Sequence, residues 1–212
     1  MSPYQENQSR LLLKLDSFQV HLANKPLFQP LDLELHEGEV VIVQGPNGAG
    51  KTTLMRAILG LHQESSGTKF CRVSTKETVY QAQSHNISSH LPFTVGDVVT
   101  VGTGITYSKM IELGLVDEKL AKRQWNSASG GERQRALISR SMLFMPRLML
   151  LDEPFNHLDS QFTRLVLQRL GHFFAGPGLP SMVIIAHGEE RQMLIDAFNP
   201  KLMELKPIKG AQ

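Results

Sequence analysis

Eight consecutive residues, Gly45-Pro46-Asn47-Gly48-Ala49-Gly50-Lys51-Thr52, place glycines, a lysine and a hydroxyl in the order of a P-loop. Glycine lets the backbone curl so that its N–H groups converge into a nest for phosphate oxygens. In such a nest Gly45, Asn47, Gly48, Ala49 and Gly50 would line the phosphate. Lys51 would reach its β- and γ-oxygens, and the Thr52 hydroxyl could ligate Mg²⁺. The flanks agree. Val40–Gln44 is a short β-branched run, the pattern of a buried strand. Thr52–Leu61 carries Leu54, Ile58 and Leu61 at helical spacing, with Thr53 in its first turn. The positive end of that helix adds to the nest.

A second element could complete such a site. Leu148-Met149-Leu150-Leu151-Asp152-Glu153 is an apolar strand ending in two acids. Ligands of open α/β sheets sit at the carboxyl ends of the strands, so Asp152 would face the Mg²⁺. Glu153, one residue on, could act as general base on a water. An Asp-Glu pair can also simply solvate a strand end; the P-loop beside it favours the chemical role.

Composition limits the setting of this chemistry. The 212 residues suffice for one α/β domain with a buried core, and 41% hydrophobic with 20% charged residues is ordinary for a globular chain. A net charge of +2 gives no argument for a nucleic-acid surface, and no nucleic-acid partner is expected. The single cysteine, Cys71, excludes an intrachain disulfide and a thiolate-only zinc site, and fits a reducing cytoplasm. Residues 1–10 form a polar tail without the apolar core of a signal peptide. No apolar run approaches the roughly 18 residues of a membrane span, so any membrane role must come from a partner.

The elements that must position the site follow from periodicity. Leu11–Val20 and Leu31–Leu35 alternate apolar with polar residues and predict antiparallel strands with one solvated face. Gly131–Met145 predicts a helix stopped by Pro146. Arg147–Leu151 and Met182–Ala186 predict buried strands, and Gln161–Phe174 an amphipathic helix. Between Gln83 and Ser129 the pattern is turn-rich, with helices entered at Thr94 and around Lys109–Leu113. Strands alternating with helices imply an α/β class. It would have a mainly parallel sheet, an antiparallel β-subdomain in front and a helical insertion over about 84–145, all in one domain, 1–212.

Ala128-Ser129-Gly130-Gly131-Glu132-Arg133-Gln134-Arg135 resembles the signature of ATP-binding cassette (ABC) ATPases, usually Leu-Ser-Gly-Gly-Gln/Glu, and precedes the Asp152–Glu153 strand at that family's interval. The resemblance runs from about Leu11 to Leu205. It implies that ATP and Mg²⁺ are the ligands and that a second cassette, an identical copy or a relative, completes the site head to tail. Ser129, Gly130 and Gly131 would then face the γ-phosphate held by the partner. By the same resemblance Gln83 is the Q-loop glutamine that contacts metal and water, with Gln81 as its competitor. Asn156-His157-Leu158-Asp159 is the D-loop crossing the dimer interface, and His187 is the switch histidine that hydrogen-bonds the γ-phosphate.

Three departures stand out. Ala128 replaces the usual signature leucine. Ala82 replaces the proline before the Q-loop glutamine. Leu22 occupies the position of the adenine-stacking aromatic, so adenine binding is expected to be weaker or less selective, with Phe18 or Phe28 as substitutes. A lone cassette resembles the separate ATPase subunit of a bacterial transporter, cytoplasmic and peripheral on the membrane through permease subunits docked around Gln83 to Gly104. Leu91–Val99 looks like the same stretch of zinc or manganese uptake cassettes, although a core helix explains it nearly as well. His85 and His90 read as loop residues, because no full ligand set accompanies them. Haem or lipid exporters and soluble non-transport cassettes are the alternatives. The short sequence after Leu205 leaves no room for the C-terminal regulatory domain of some importers.

Overall fold

A computed structural model describes residues 10–83, 92–174 and 178–208. The chain first builds an antiparallel sheet from β1 (Leu11–Leu22), β2 (Lys25–Pro26) and β3 (Leu31–His36). Next come β4 (Val40–Gln44), α1 (Lys51–Ile58), β5 (Ser65–Cys71) and β6 (Thr78–Gln81). Four helices follow, α2 (Val95–Thr100), α3 (Tyr107–Glu112), α4 (Glu118–Ala121) and α5 (Gly130–Leu143). The chain returns through β7 (Leu148–Asp152), α6 (Ser160–Phe173), β8 (Ser181–Ile185), α7 (Gly188–Phe198) and β9 (Lys201–Glu204). His85, His90 and Leu91 lie outside the described residues.

The five-stranded sheet has the order β6-β7-β8-β4-β9, and every neighbouring pair in it is parallel. Its central strands β4, β7 and β8 bury both faces, as their continuous apolar runs require. Alternate residues feed two cores. Ile42, Met149, Leu151, Met182 and Ile184 pack with the helices from α2 to α7. Val41, Val43, Leu148, Leu150, Val183 and Ile185 pack with α1 and the antiparallel sheet. Register then fixes the working edge. Val43 and Asp152 both pair with Ile185, so the carboxyl ends of β4, β7 and β8 lie in one row.

The predicted elements occur with ends that differ by up to three residues. The first helix runs Lys51–Ile58 instead of reaching Leu61, which is exposed after the left-handed Gly60 (φ +77°). The helix expected over Gly131–Met145 runs Gly130–Leu143. The alternation of β1 breaks at a bulge where Ser17 takes φ +47° and its N–H donates to Asp32 Oδ1 at 2.7 Å. Strand β5 pairs with β1, yet six of its seven residues are exposed, so no apolar alternation betrays it in the sequence.

The approach to β6 is tied to the approach to β7. Glu77 accepts hydrogen bonds from Ser74 N and Oγ and pairs with Arg147, which also pairs with Glu37. The Ser74 hydroxyl, then the Ser74 N–H and Arg147, hold the Glu77 carboxyl at a pKa of about 2, below its ordinary 4.5. A depressed pKa contributes stability that is present above 4.5 and lost as pH falls through about 2. Thermal melts across this range should therefore show Glu77→Gln less stable than wild type at neutral pH. The gap should close as pH drops to 2, and a gap independent of pH would contradict this account.

Candidate functional site

The loop between β4 and α1 is shaped by Gly45, Gly48 and Gly50, all at positive φ. Gly45 sits at φ +145°, where an added Cβ would lie 2.9 Å from the Leu205 carbonyl oxygen. Gly50, at φ +90°, is pressed against Leu27 and Phe28. The Lys51 ammonium folds back over the loop and donates to the carbonyls of Gly45 (2.9 Å) and Pro46 (3.0 Å). Around the open cleft stand Leu22, Leu27, Asn47, Gly48, Gly50, Lys51, Thr52, Thr53, Gln83, Asp152, Glu153 and His187. Ala49 turns away from it: its side chain is buried and its N–H donates to the Pro46 carbonyl at 3.2 Å.

Thr52 Oγ1 donates to Asp152 Oδ2 at 2.7 Å, joining two residues 100 positions apart. Asp152 is only 2% exposed. Burial raises its carboxyl pKa above the ordinary value. The Thr52 hydroxyl pulls it down, Glu153 pushes it up, and Arg56 and Lys51 pull it down again. A hydroxyl oxygen beside a buried carboxylate, as Thr52 and Asp152 supply, suits Mg²⁺, which takes one or two protein ligands and fills its shell from phosphate and water. No group of three or more His, Cys, Asp or Glu that could hold a metal by itself occurs among the described residues.

Glu153 follows Asp152 with a left-handed backbone (φ +50°), its N–H donating to the Ile185 carbonyl at 3.1 Å. Its Oε2 accepts from Gln83 Nε2 at 2.7 Å and from Asn156 Nδ2 at 2.6 Å. Its Oε1 lies 3.6 Å from Nε2 of His187, the exposed residue that opens α7. Gln83 thus stands at the cleft. Gln81 is 2% exposed within β6 and accepts from Ser141 Oγ at 3.2 Å, on the far side of the strand from Tyr80.

The remaining expected residues lie elsewhere. Ser129 caps α5 and exchanges hydrogen bonds with Glu132, which is gripped by Arg123 Nη1 at 2.6 and 2.7 Å. Ala128 is buried in the core. Gly131 lies flush against the His157 carbonyl, and Asp159 caps α6 through Phe162 N at 2.7 Å. Ser129, Gly130, Gly131 and Asp159 are not among the residues around the cleft of their own chain.

Leu22 does line the cleft and is 59% exposed. Phe18 and Phe28 do not substitute for an aromatic there. They are 2% and 0% exposed within the core below the loop, and neither presents a ring face to a base. Leu27 and Glu190 escaped the sequence reading, and Asn156 was read there only as part of the D-loop. Leu27 joins Leu22 at the cleft wall, and Asn156 bonds Glu153. Glu190 keeps a buried, unpartnered Oε2 beside His187, its carboxyl pKa raised by burial. Only Asn156 had a signal, its place three residues after the candidate base.

Comparison with known proteins bears on the family and the fold. A family model described as ABC transporter matches residues 28–156. The zinc import ATP-binding protein ZnuC of Acinetobacter baylyi is 34% identical over 151 residues, which cover 71% of this chain and 58% of that protein. ZnuC of Anaplasma phagocytophilum is 32% identical over 165 residues, 73% of this chain and 67% of its own length. The chain therefore spans little more than half of the first of these relatives. Among solved structures, a metal-chelate type ABC transporter in an inward-facing conformation superposes with a TM-score of 0.73 at 28% identity, covering 92% of this chain and 80% of that one. A dimeric ATP-binding cassette in a post-hydrolysis state with ADP and Pi gives 0.73 at 21% identity, covering 92% and 94%, a likeness of fold alone.

The Asp152 carboxyl has a folded pKa above its unfolded one, so its ionised form opposes folding at neutral pH. Asp152→Asn should raise the melting temperature of the nucleotide-free protein while weakening Mg²⁺-dependent nucleotide binding. Calorimetric titration and thermal melts test both halves, and a destabilised Asn variant would overturn the burial argument.

Proposed function

The chain belongs to the ABC transporter family, and from that premise we propose that it is the ATP-hydrolysing subunit of a transporter importing a divalent metal ion such as zinc or manganese. The observation that carries the ATPase reading is the convergence of Lys51, Thr52, Asp152, Glu153, Gln83 and His187 on one cleft at the carboxyl ends of β4, β7 and β8. The metal cargo rests on the relatives' stated role in zinc import. The stretch Leu91–Val99 adds nothing to it, because Val95, Val98 and Val99 of α2 are buried in the helical core.

In this reading ATP lies with its phosphates over Gly48, Gly50 and Lys51 and its base near Leu22 and Leu27. Thr52, Asp152 and Gln83 would hold Mg²⁺, which when bound neutralises charge on the β- and γ-phosphate oxygens. Glu153 draws a proton from water as its oxygen attacks the γ-phosphorus. The bond to the β,γ-bridging oxygen breaks, and ADP and phosphate result. Lys51 stabilises the charge on the transferred group, as would Ser129 and Gly131 presented by a second cassette, with His187 sensing the γ-phosphate. Loss of the γ-phosphate removes the charge linking the two protomers, so ATP acts as a ligand that favours the closed pair.

Coupling to transport would require a permease. Among the described residues no helix is long and apolar enough to cross a membrane. Phe93 and Val101, 40% and 60% exposed at the two ends of α2, supply apolar surface where a permease would dock. The subunit would then sit on the cytoplasmic face of the membrane.

Purified protein should hydrolyse MgATP. Glu153→Gln should bind ATP with unchanged affinity, lose most turnover and elute as an ATP-dependent dimer; full turnover in that variant removes Glu153 from its role. Recovery from native membranes should bring down a permease of many spans, and deletion of the gene should lower cellular zinc or manganese. A haem or lipid permease in that preparation would replace the metal cargo, and a purely soluble dimer would overturn the transport reading.

A further inference from the structure

Glu153 presents its two carboxylate oxygens to different surroundings. Oε2 takes both amide donors, Gln83 Nε2 at 2.7 Å and Asn156 Nδ2 at 2.6 Å. An ionised carboxylate only accepts hydrogen bonds, so the amide nitrogens must be the groups that face it, and two such bonds occupy the lone pairs of one oxygen. Oε1 faces His187 across 3.6 Å, beyond hydrogen-bond distance. Taking Glu153 as the base, as proposed above, we infer that Asn156 is a positioning residue that anchors Oε2 and leaves Oε1 as the oxygen that receives the proton of the attacking water.

The backbone around Asn156 is built to hold that anchor still. Glu153 and His157 both take left-handed conformations, φ +50° and +70°, so the chain doubles back within five residues. Asn156 N donates to the Glu153 carbonyl at 3.3 Å, and Leu158 N to the Phe155 carbonyl at 3.0 Å. Phe155 is 1% exposed and pins the turn in the core. From α5, Gln134 Nε2 donates to the Pro154 carbonyl, and Gly131 lies so close to the His157 carbonyl that a Cβ there would reach 2.9 Å. Gln83 comes from a different segment, beyond β6. Asn156 is thus the donor carried by the same turn as the base, and its amide moves with the Glu153 backbone.

The proton balance is simple. Water gives one proton to Oε1, its oxygen bonds to the γ-phosphorus, and the β,γ-bridging oxygen leaves on ADP. With Oε2 anchored, the carboxylate plane is set before water arrives, and that orientation is what Asn156 contributes.

Steady-state ATPase assays on the full chain test this. Asn156→Ala should lower kcat about tenfold to a hundredfold, with KM and nucleotide binding retained, as expected for misplacement of a reacting group. Asn156→Asp keeps the shape but replaces the donor with a second acceptor of like charge, so it should lose at least as much, whereas a space-filling role would survive it. In single-turnover measurements Asn156→Ala should not slow Glu153→Gln further, because its effect passes through the carboxylate. Wild-type kcat in Asn156→Asp overturns the inference, as does an equal fold-loss in both Glu153 backgrounds. A wild-type chain without turnover would instead overturn the ATPase reading, and this inference with it.

Discussion

A carboxylate buried at the end of a strand costs free energy unless hydrogen bonds or positive charge answer it. Asp152 is in that position. Its partners, the Thr52 hydroxyl in contact and Lys51 and Arg56 nearby, come from the loop and helix that follow β4. They can meet it only because β8 lies between β4 and β7 with Val43, Ile185 and Asp152 in one row. The demand for charge compensation at one atom therefore constrains strand order, register and the glycine-shaped loop together. The same demand makes the cleft receptive to a cation carried in by phosphate.

Sheet and helices answer this constraint by different means. The central strands bury both faces, so their apolar residues anchor the row from each side, with α1 and the antiparallel sheet on one face and α5 and α6 on the other. Loops leaving the row are then short and stiff. Glu153 is pinned through its N–H to the Ile185 carbonyl, and His187 opens α7 two residues after β8 ends. Such exits fix where each side chain leaves the backbone, which is the usual advantage of a site at the ends of parallel strands.

Much of this was legible in the sequence, for reasons that can be named. The glycine spacing of the loop, the apolar runs of β4, β7 and β8, and the helix entry at Thr94 are local signals, and the structure uses each locally. What was not legible depends on the fold as a whole. Phe18 and Phe28 look available for stacking until the core claims them. Gln81 and Gln83 differ by strand position, one sealed behind β6 and the other past its end. Strand β5 carries no apolar alternation because both its faces are largely exposed. The Asn156–Glu153 bond lies in a turn bounded by Glu153 and His157, two non-glycine residues at positive φ, a conformation that side-chain identity alone does not announce.

The separation between the cleft and the signature helix has a physical consequence of its own. Ser129 and Gly130 are exposed at the N-terminus of α5, where the helix presents its positive end, yet they do not border the cleft of the same chain. The Ser129–Glu132 exchange fixes that helix start, and Arg123 restrains Glu132. A positive helix end is thus fixed in place away from the cleft of its own chain. Meanwhile Gly131 and Gln134 of the same helix pack on the turn that carries Glu153 and Asn156. One helix therefore touches both the surface that would meet a second cassette and the backbone of the candidate base.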